Sequence, residues 1–543
     1  MKTLLIFPPQ INPIHPHLAI PLLKGYLEGE GITVEIIDAN VMAYDQLLTK
    51  KYLQLCKHRL KKMKKRNKSQ KLALIMSDYL IDNIENSKKQ IRNRAVLLDL
   101  QNYTKHARMI KYALHLISSA FPGETLSLTQ YKPKYGTNNP KKMLKNLNEE
   151  SIFSKFNESI IKQILKTKPT LVGFSIVLID QLVPAFDLAK KIKEKHKNIK
   201  IVFGGTTITR LAKDILKNEL YFKYVDFYIE KEGEIPLQKL INTIKNNSSL
   251  EEVPGLLWHD KKITRNGSVD KQILLKDLPT PNFDGYPLNL YLSPEKVLPT
   301  IFSRNCYWNK CTFCDICEGY NKLYRIKGIK KTIEELCYFK KEYGVNYFRF
   351  VDEAIHPSYL KQLADKLINK KVNWETACRL EKDFKDKDFC NLLNKAGCQF
   401  LSFGLESGSQ KIIDLMNKGY KISDVKKILS STTKAGIANH IYLMTDFPGE
   451  TNVDFKKTIQ LVLQNKNNIF SFQISKFMLT KKSKISNYYC GKKTDPGTSS
   501  LNYKIKHTKR AETLKIILQK NLPNYNVGQE LIGTHKMIYN SIK

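Results

Sequence analysis

Four of the ten cysteines in this 543-residue chain lie within twelve residues, Cys306, Cys311, Cys314 and Cys317 in the stretch SRNCYWNKCTFCDIC. Thiolates this close on one loop suit a metal centre, either an iron–sulfur cluster or zinc. Structural zinc favours four ligands in two separated pairs, and no second, separate pair is present. Four cysteines in one loop could also close the cluster of an electron carrier. The remaining cysteines (56, 337, 378, 390, 398, 490) are scattered in mostly apolar surroundings and read as buried free thiols.

The elements that must hold this loop alternate between strand and helix. Strands are expected at VLPTIFS, NYFRFVD, WETAC, QFLSFG, HIYLMTD and FSFQISKF, with helices between them. Six such units over 291–480 predict a partial (β/α)6 barrel with its active site at the strands' C-terminal ends. The cysteine stretch follows the first strand directly. Asp352 and Glu353 end the second strand, Arg379 follows the third, and Glu406 and Ser407 end the fourth. Arg379 could grip a carboxylate with both arms of its guanidinium. No residue is assignable as a general acid or base.

Residues 1–40 read as strand, loop, helix, strand, with Pro8, Pro9, Pro13, Pro16 and Pro21 stiffening the loop. The pattern resumes at 170, so 1–250 is expected to be a doubly wound, Rossmann-like α/β domain. An insertion at about 41–165 is helical and basic; residues 51–100 hold 14 Lys/Arg against 4 Asp/Glu. It reads as a solvated helix face or a mobile segment, with a docking surface for a partner as the sharper alternative. Residues 251–290 form a turn-rich linker with a hairpin near GLLWHDKKITRNG, and 481–543 form a weakly patterned, basic extension.

A formal charge of +39 allows nucleic acid, anionic lipid or an acidic peptide as partner. None of the nucleic-acid-binding motifs is present, so nucleic acid is not expected, and the Lys/Asn/Ile-rich composition also follows from codon bias. No apolar run approaches the ~20 residues that span a bilayer. The opening MKTLLIFPPQ stops at its prolines, short of a secretion signal, so a cytoplasmic protein without membrane contact is expected.

The spacing C-x4-C-x2-C, with Phe313 just before the last cysteine, resembles the radical S-adenosylmethionine superfamily. The first interval is one residue longer than that family's usual one, which leaves Cys311, Cys314 and Cys317 as a rival triad; Phe313 favours Cys306, Cys311 and Cys314. The segments FVDEAIHP, FGLESGSQKIIDLMNKG and YLMTDFPGET resemble the family's later strand ends. The resemblance implies a 4Fe–4S cluster on the three cysteines and S-adenosylmethionine near Phe313, Asp352, Glu353, Arg379, Glu406 and Ser407.

The amino-terminal domain resembles the cobalamin-binding domain of the superfamily's class B. The matching pieces are Pro8 and Pro9, Asp38-Ala39-Asn40, Gly173 and Ser175, Gly204 and Gly205, and Glu232, Gly233 and Glu234. Glycines there would let the backbone approach a large flat ring. No D-x-H-x-x-G motif is present, and His15 and His17 read as plain loop residues. The resemblance implies reductive cleavage of S-adenosylmethionine to a 5′-deoxyadenosyl radical, hydrogen abstraction from an unactivated carbon, and methylation through cobalamin. A small-molecule or peptide substrate and a reductant such as flavodoxin or ferredoxin go with it. Cobalamin-dependent rearrangement, cyclisation or epimerisation remains an alternative, as does a non-catalytic cobalamin or redox sensor.

Overall fold

The computed structural model describes residues 1–137, 139–267, 273–316, 323–480, 482–489, 508–522 and 531–543. Its first sheet contains β1 (Thr3–Phe7), β2 (Val34–Asp38), β3 (Leu171–Ser175), β4 (Lys200–Gly204), β5 (Phe227–Ile229), β6 (Leu256–His259) and β7 (Ile263–Arg265), in the order 2-1-3-4-5-6-7. The first five are parallel and the last two form an antiparallel hairpin on the edge. TLLIF and LVGFS are buried from end to end, as central parallel strands covered on both faces must be. The strand order reverses between β1 and β3, the place where doubly wound sheets open a crevice for ligands.

Helix α1 (Ala19–Gly29) follows the first loop, and Pro21 lies in its first turn. A proline costs nothing there, because that N–H has no helical partner anyway. Pro21 therefore belongs to the helix and not to the stiff loop expected from the sequence. The linker packs flush on α1: a Cβ at Gly25 would lie 2.4 Å from the Thr280 carbonyl oxygen.

The basic insertion contributes α2 (Lys50–Lys62), α3 (Lys68–Ile91) and α4 (Leu100–Ala120), among shorter helices. Their outer faces are solvated, but Leu53, Leu60, Ile84, Ile110 and Ile117 share one core with Val172 and Ile201 of the sheet. The insertion is thus a packed cap on the domain.

The second sheet is wholly parallel and in chain order: β8 (Val297–Thr300), β9 (Tyr347–Phe350), β10 (Asn373–Cys378), β11 (Cys398–Glu406), β12 (Ala438–Thr445) and β13 (Ser471–Lys476). This is the expected partial (β/α)6 barrel. Phe348, Phe350, Leu401, Phe403, Ile441 and Leu443 pack outward into the core beneath the helices. The alternate residues line an open lumen, where the Arg349 side chain is 37% exposed and Val351 38%. The bottom of that lumen is closed by a helix from the extension, α5 (His535–Ile542). Met537, Ile538 and Tyr539 join the core that holds Tyr347, Phe400 and Ala438. Asn540 Nδ2 donates to the carbonyls of Gln399 (2.8 Å) and Gly436 (2.9 Å), near the N-terminal ends of β11 and β12. Among the described residues no helix is long and apolar enough to cross a membrane.

Candidate active site

The chain leaves β8 through a short ribbon, Ser303–Arg304 paired antiparallel with Arg325–Ile326. The ribbon closes the neck of the cysteine loop. Asp352, at the end of β9, accepts the N–H groups of Phe302 (2.9 Å) and Ser303 (2.5 Å) and the Ser303 hydroxyl (2.5 Å). Burial pushes its pKa up to about 6 against those bonds. Its three hydrogen bonds among the described residues serve the turn into the loop, an anchoring role where a cofactor contact was expected.

Cys306, Cys311 and Cys314 are unpaired, part-exposed thiols; Cys317 lies outside the described residues. The loop rests on the turn after β11. Thr312 N–H donates to Met416 O (3.0 Å), Thr312 Oγ1 to Leu415 O (3.0 Å) and Trp308 Nε1 to Asn417 O (2.7 Å). Gly419 makes room for the indole: its φ is +73°, and a Cβ there would lie 2.2 Å from the Trp308 ring.

Arg379 stacks its guanidinium 4.2 Å from the Trp308 ring centroid. Its Nε meets Glu381 Oε1 at 2.8 Å, one Nη donates to Lys418 O, and the other is 4.0 Å from Cys311 Sγ. The fork expected to grip a carboxylate is therefore occupied by protein. Burial raises the Cys311 pKa while the Lys418 and Arg379 cations pull it down; burial takes Cys314 up to about 12. Lys418 Nζ also lies 3.1 Å from Glu406 Oε1. Phe313 packs edge-on against Phe447.

Ser407 is fully buried. Its Oγ lies 3.2 Å from Thr458 Oγ1 and accepts the Ser409 N–H, so it shapes the turn and does not face the mouth. Glu353 stands exposed on the rim. Protein packed on its other sides, and then Asp352, push its pKa up to about 7, opposed by Arg210.

Among the described residues no three His, Cys, Asp or Glu side chains converge on one point. Three free thiols on a braced loop, with two cations beside them, suit a larger cluster in which each cysteine serves its own iron.

A second cleft opens at the C-terminal ends of β1, β3, β4 and β5. Gly173, Ser175, Gly204, Gly205, Glu232, Gly233, Glu234, His17 and Arg304 are among its walls. Pro8 and Pro9 are buried and lie outside it. The glycines divide by role. A Cβ at Gly173 would press to 2.8 Å from Leu5, and one at Gly205 (φ +105°) to 2.4 Å from Ile176 O, so both are needed for packing and turning. At Gly204 and Gly233 the nearest atom would be 3.9 and 3.5 Å away. Those two leave a cradle of the kind a corrin or its tail could enter.

His17 lies on the wall, stacked on Phe7 with centroids 5.0 Å apart, and its Nδ1 accepts the Ala19 N–H. Glu232 and Glu234 are not free for a ligand. Arg304 pairs with Glu234 and with Glu232 (3.0 Å), Arg325 pairs with Glu232, and each of these side chains is at most 10% exposed. Burial works against Glu234, but Arg304 holds its carboxyl below the usual range. Arg304 and Arg325, overlooked in the sequence, join the neck of the cysteine loop to the wall of the second cleft.

A doubly wound domain whose cleft shares a wall with a three-cysteine loop at the mouth of a parallel partial barrel defines a scaffold with two adjoining cofactor-sized sites. Residues 300–462 match the model of the radical SAM superfamily, and residues 128–241 match that of the B12 binding domain. The chain belongs to the radical SAM superfamily and carries a B12-binding domain. It is 25% identical over 327 residues to an uncharacterised methyltransferase of Pyrococcus horikoshii, spanning 59% of this chain and 68% of that one. An anaerobic magnesium-protoporphyrin IX monomethyl ester cyclase of Synechocystis is 24% identical over 52% of this chain and 57% of its own length. The hopanoid C-3 methylase of Methylococcus capsulatus is 24% identical over 53% and 55%. The last two matches thus span little more than half of those relatives. Among solved structures, the radical S-adenosylmethionine methyltransferase TsrM from Kitasatospora setae, with cobalamin and a 4Fe–4S cluster bound, shares the fold. Its TM-score is 0.56 at 14% identity, over 91% of this chain and 79% of that one.

Proposed function

We propose that this protein is a cobalamin-dependent radical methyltransferase acting on an unactivated carbon of a small molecule. The observation that carries the reading is the shared wall: Arg304 belongs both to the neck of the cysteine loop and to the cleft of the B12-binding domain. A substrate in the barrel lumen would thus lie between the two sites. When bound, the cluster supplies the electron that splits S-adenosylmethionine, and cobalamin supplies a transferable methyl group.

The chain's own residues position these groups and limit water. Cys306, Cys311 and Cys314 would hold three irons. Asp352 and the Arg304–Glu234 pair fix the neck, while Trp308, Gly419 and Arg379 brace the loop. Gly204 and Gly233 leave room for the corrin. Glu406 and Lys418 stand beside the loop as candidate contacts to S-adenosylmethionine, and Glu353 stands on the rim as a further one. The cyclase among the relatives favours, as a second reading, radical cyclisation, rearrangement or epimerisation without methyl transfer.

The test is anaerobic reconstitution with iron, sulfide and cobalamin, followed by reduction with S-adenosylmethionine and candidate substrates. Formation of both 5′-deoxyadenosine and S-adenosylhomocysteine is expected, and Cys314→Ala should lose the former. 5′-Deoxyadenosine without S-adenosylhomocysteine would point to the rearrangement reading. Retained cobalamin with no cleavage at all would leave a sensor.

A further inference from the structure

We propose that the floor of the barrel lumen binds an anionic group of the substrate, a carboxylate or a phosphate monoester, between Arg349 and Lys536. The inference rests on the reading of this lumen as the substrate chamber and adds the chemical class of what enters it.

Arg349 sits inside β9, on the face that looks into the lumen, and is 37% exposed. Its single ion pair among the described residues is with Glu375 of β10, at 3.3 Å through one Nη. A guanidinium has five N–H donors, so this pair leaves most of the fork facing open space. Lys536 enters from α5. Among the described residues its ammonium makes no hydrogen bond and no ion pair, although it is partly buried. Desolvation pulls its pKa down to about 8, with Arg349 acting in the same direction and Glu375 against it.

A partly desolvated ammonium without a partner is unfavourable unless something else uses it. His440 on β12 does not supply a charge: burial and the same two cations hold its pKa well down, and its Nδ1 meets Ser471 Oγ at 2.7 Å. Among the described residues the floor therefore carries two cations against one carboxylate.

The strand geometry sets a distance. Arg349 precedes Asp352, at the mouth, by three residues, or roughly 10 Å at ~3.3 Å per residue. Ala377, Ser402, Gly404 and Tyr442 line the stretch between and are half-exposed. The fitting substrate is elongated, with an anionic end at the floor and its reacting carbon about 10 Å away, below the cysteine loop.

Octanoate, octyl phosphate and uncharged octanamide probe this directly by calorimetric titration of the anaerobically reconstituted holoenzyme. At least one anionic probe should bind about tenfold or more tighter than octanamide. That preference should vanish in Lys536→Met and return in Lys536→Arg, with near-UV circular dichroism confirming the fold of each. Equal binding of charged and uncharged probes, no saturable binding of either anion, or an unchanged preference in Lys536→Met would overturn the proposal. Release of 5′-deoxyadenosine by the same wild-type preparation reads the proposed function separately. Release without charge-selective binding removes the floor assignment alone; no release removes the radical chemistry.

Discussion

At the mouth of the barrel, charged groups are committed to one another and to the backbone, while at the floor they are left open. Asp352 accepts three bonds from the turn into the cysteine loop, Arg379 reaches Glu381 and Lys418 O, and Arg304 and Arg325 meet Glu232 and Glu234. The mouth must hold large cofactors in one register, so its charges act as scaffold. The floor, assigned above to an anionic group of the substrate, shares one carboxylate between two cations. Charge of the first kind supports folding, and charge of the second kind opposes it.

The largest effect that could break this contrast is at Arg304. Arg304→Ala leaves Glu234 buried without its partner, and removing one member of a buried pair costs about 3–5 kcal/mol. Urea unfolding should show that loss. Iron content and cobalamin retention should fall together, because the same residue serves both walls. Loss of cobalamin with unchanged iron would separate the two sites and remove the shared wall from the argument.

A smaller effect is expected at Gly419. Alanine there must keep a positive φ and displace the Trp308 ring, costing about 1–3 kcal/mol. The cluster should become labile to chelator while cobalamin binding stays as it was. Cutting the indole back with Trp308→Ala in the same chain should recover part of the stability, since the steric conflict goes even though the strain in φ remains. If it recovers nothing, the close approach is not what requires glycine.

Much of this architecture was legible in the sequence because it is written in local patterns. Continuous apolar runs such as TLLIF and LVGFS become covered parallel strands, and cysteine spacing marks a metal loop. The roles of individual charges were not legible in the same way. Asp352, Arg379 and Ser407 stand where cofactor contacts were expected, yet the Phe302–Ser303 turn, Lys418 O and Thr458 that meet them lie tens of residues away, and only folding brings those together. Arg304 and Arg325 gave a faint signal, as basic residues flanking the cysteine loop opposite the acidic EKEGE. Arg349 and Glu375 gave another: a charge inside YFRF and inside WETAC is unusual for interior strands. The extension was opaque, because α5 is only eight residues long and gains its place entirely from the barrel bottom it plugs.

The smallest predicted effect is also the one that tests the contrast most directly, because its sign is opposite to the others. Lys536 has a folded-state pKa near 8 against about 10.4 for a free lysine. The fold therefore disfavours its charged form. That penalty is complete below pH 8 and fades as the pH rises toward ~10.4, where the unfolded chain also loses the proton. Discounted for the lysine's partial exposure, it amounts to about 1 kcal/mol at pH 7. Lys536→Met should thus stabilise the protein at pH 7, and the advantage over wild type should shrink between pH 8 and 10. Burial holds the His440 pKa well down, so His440 stays neutral across that range and the change belongs to Lys536. A destabilised Lys536→Met protein, or a difference independent of pH, would mean that this lysine supports the fold as the mouth residues do.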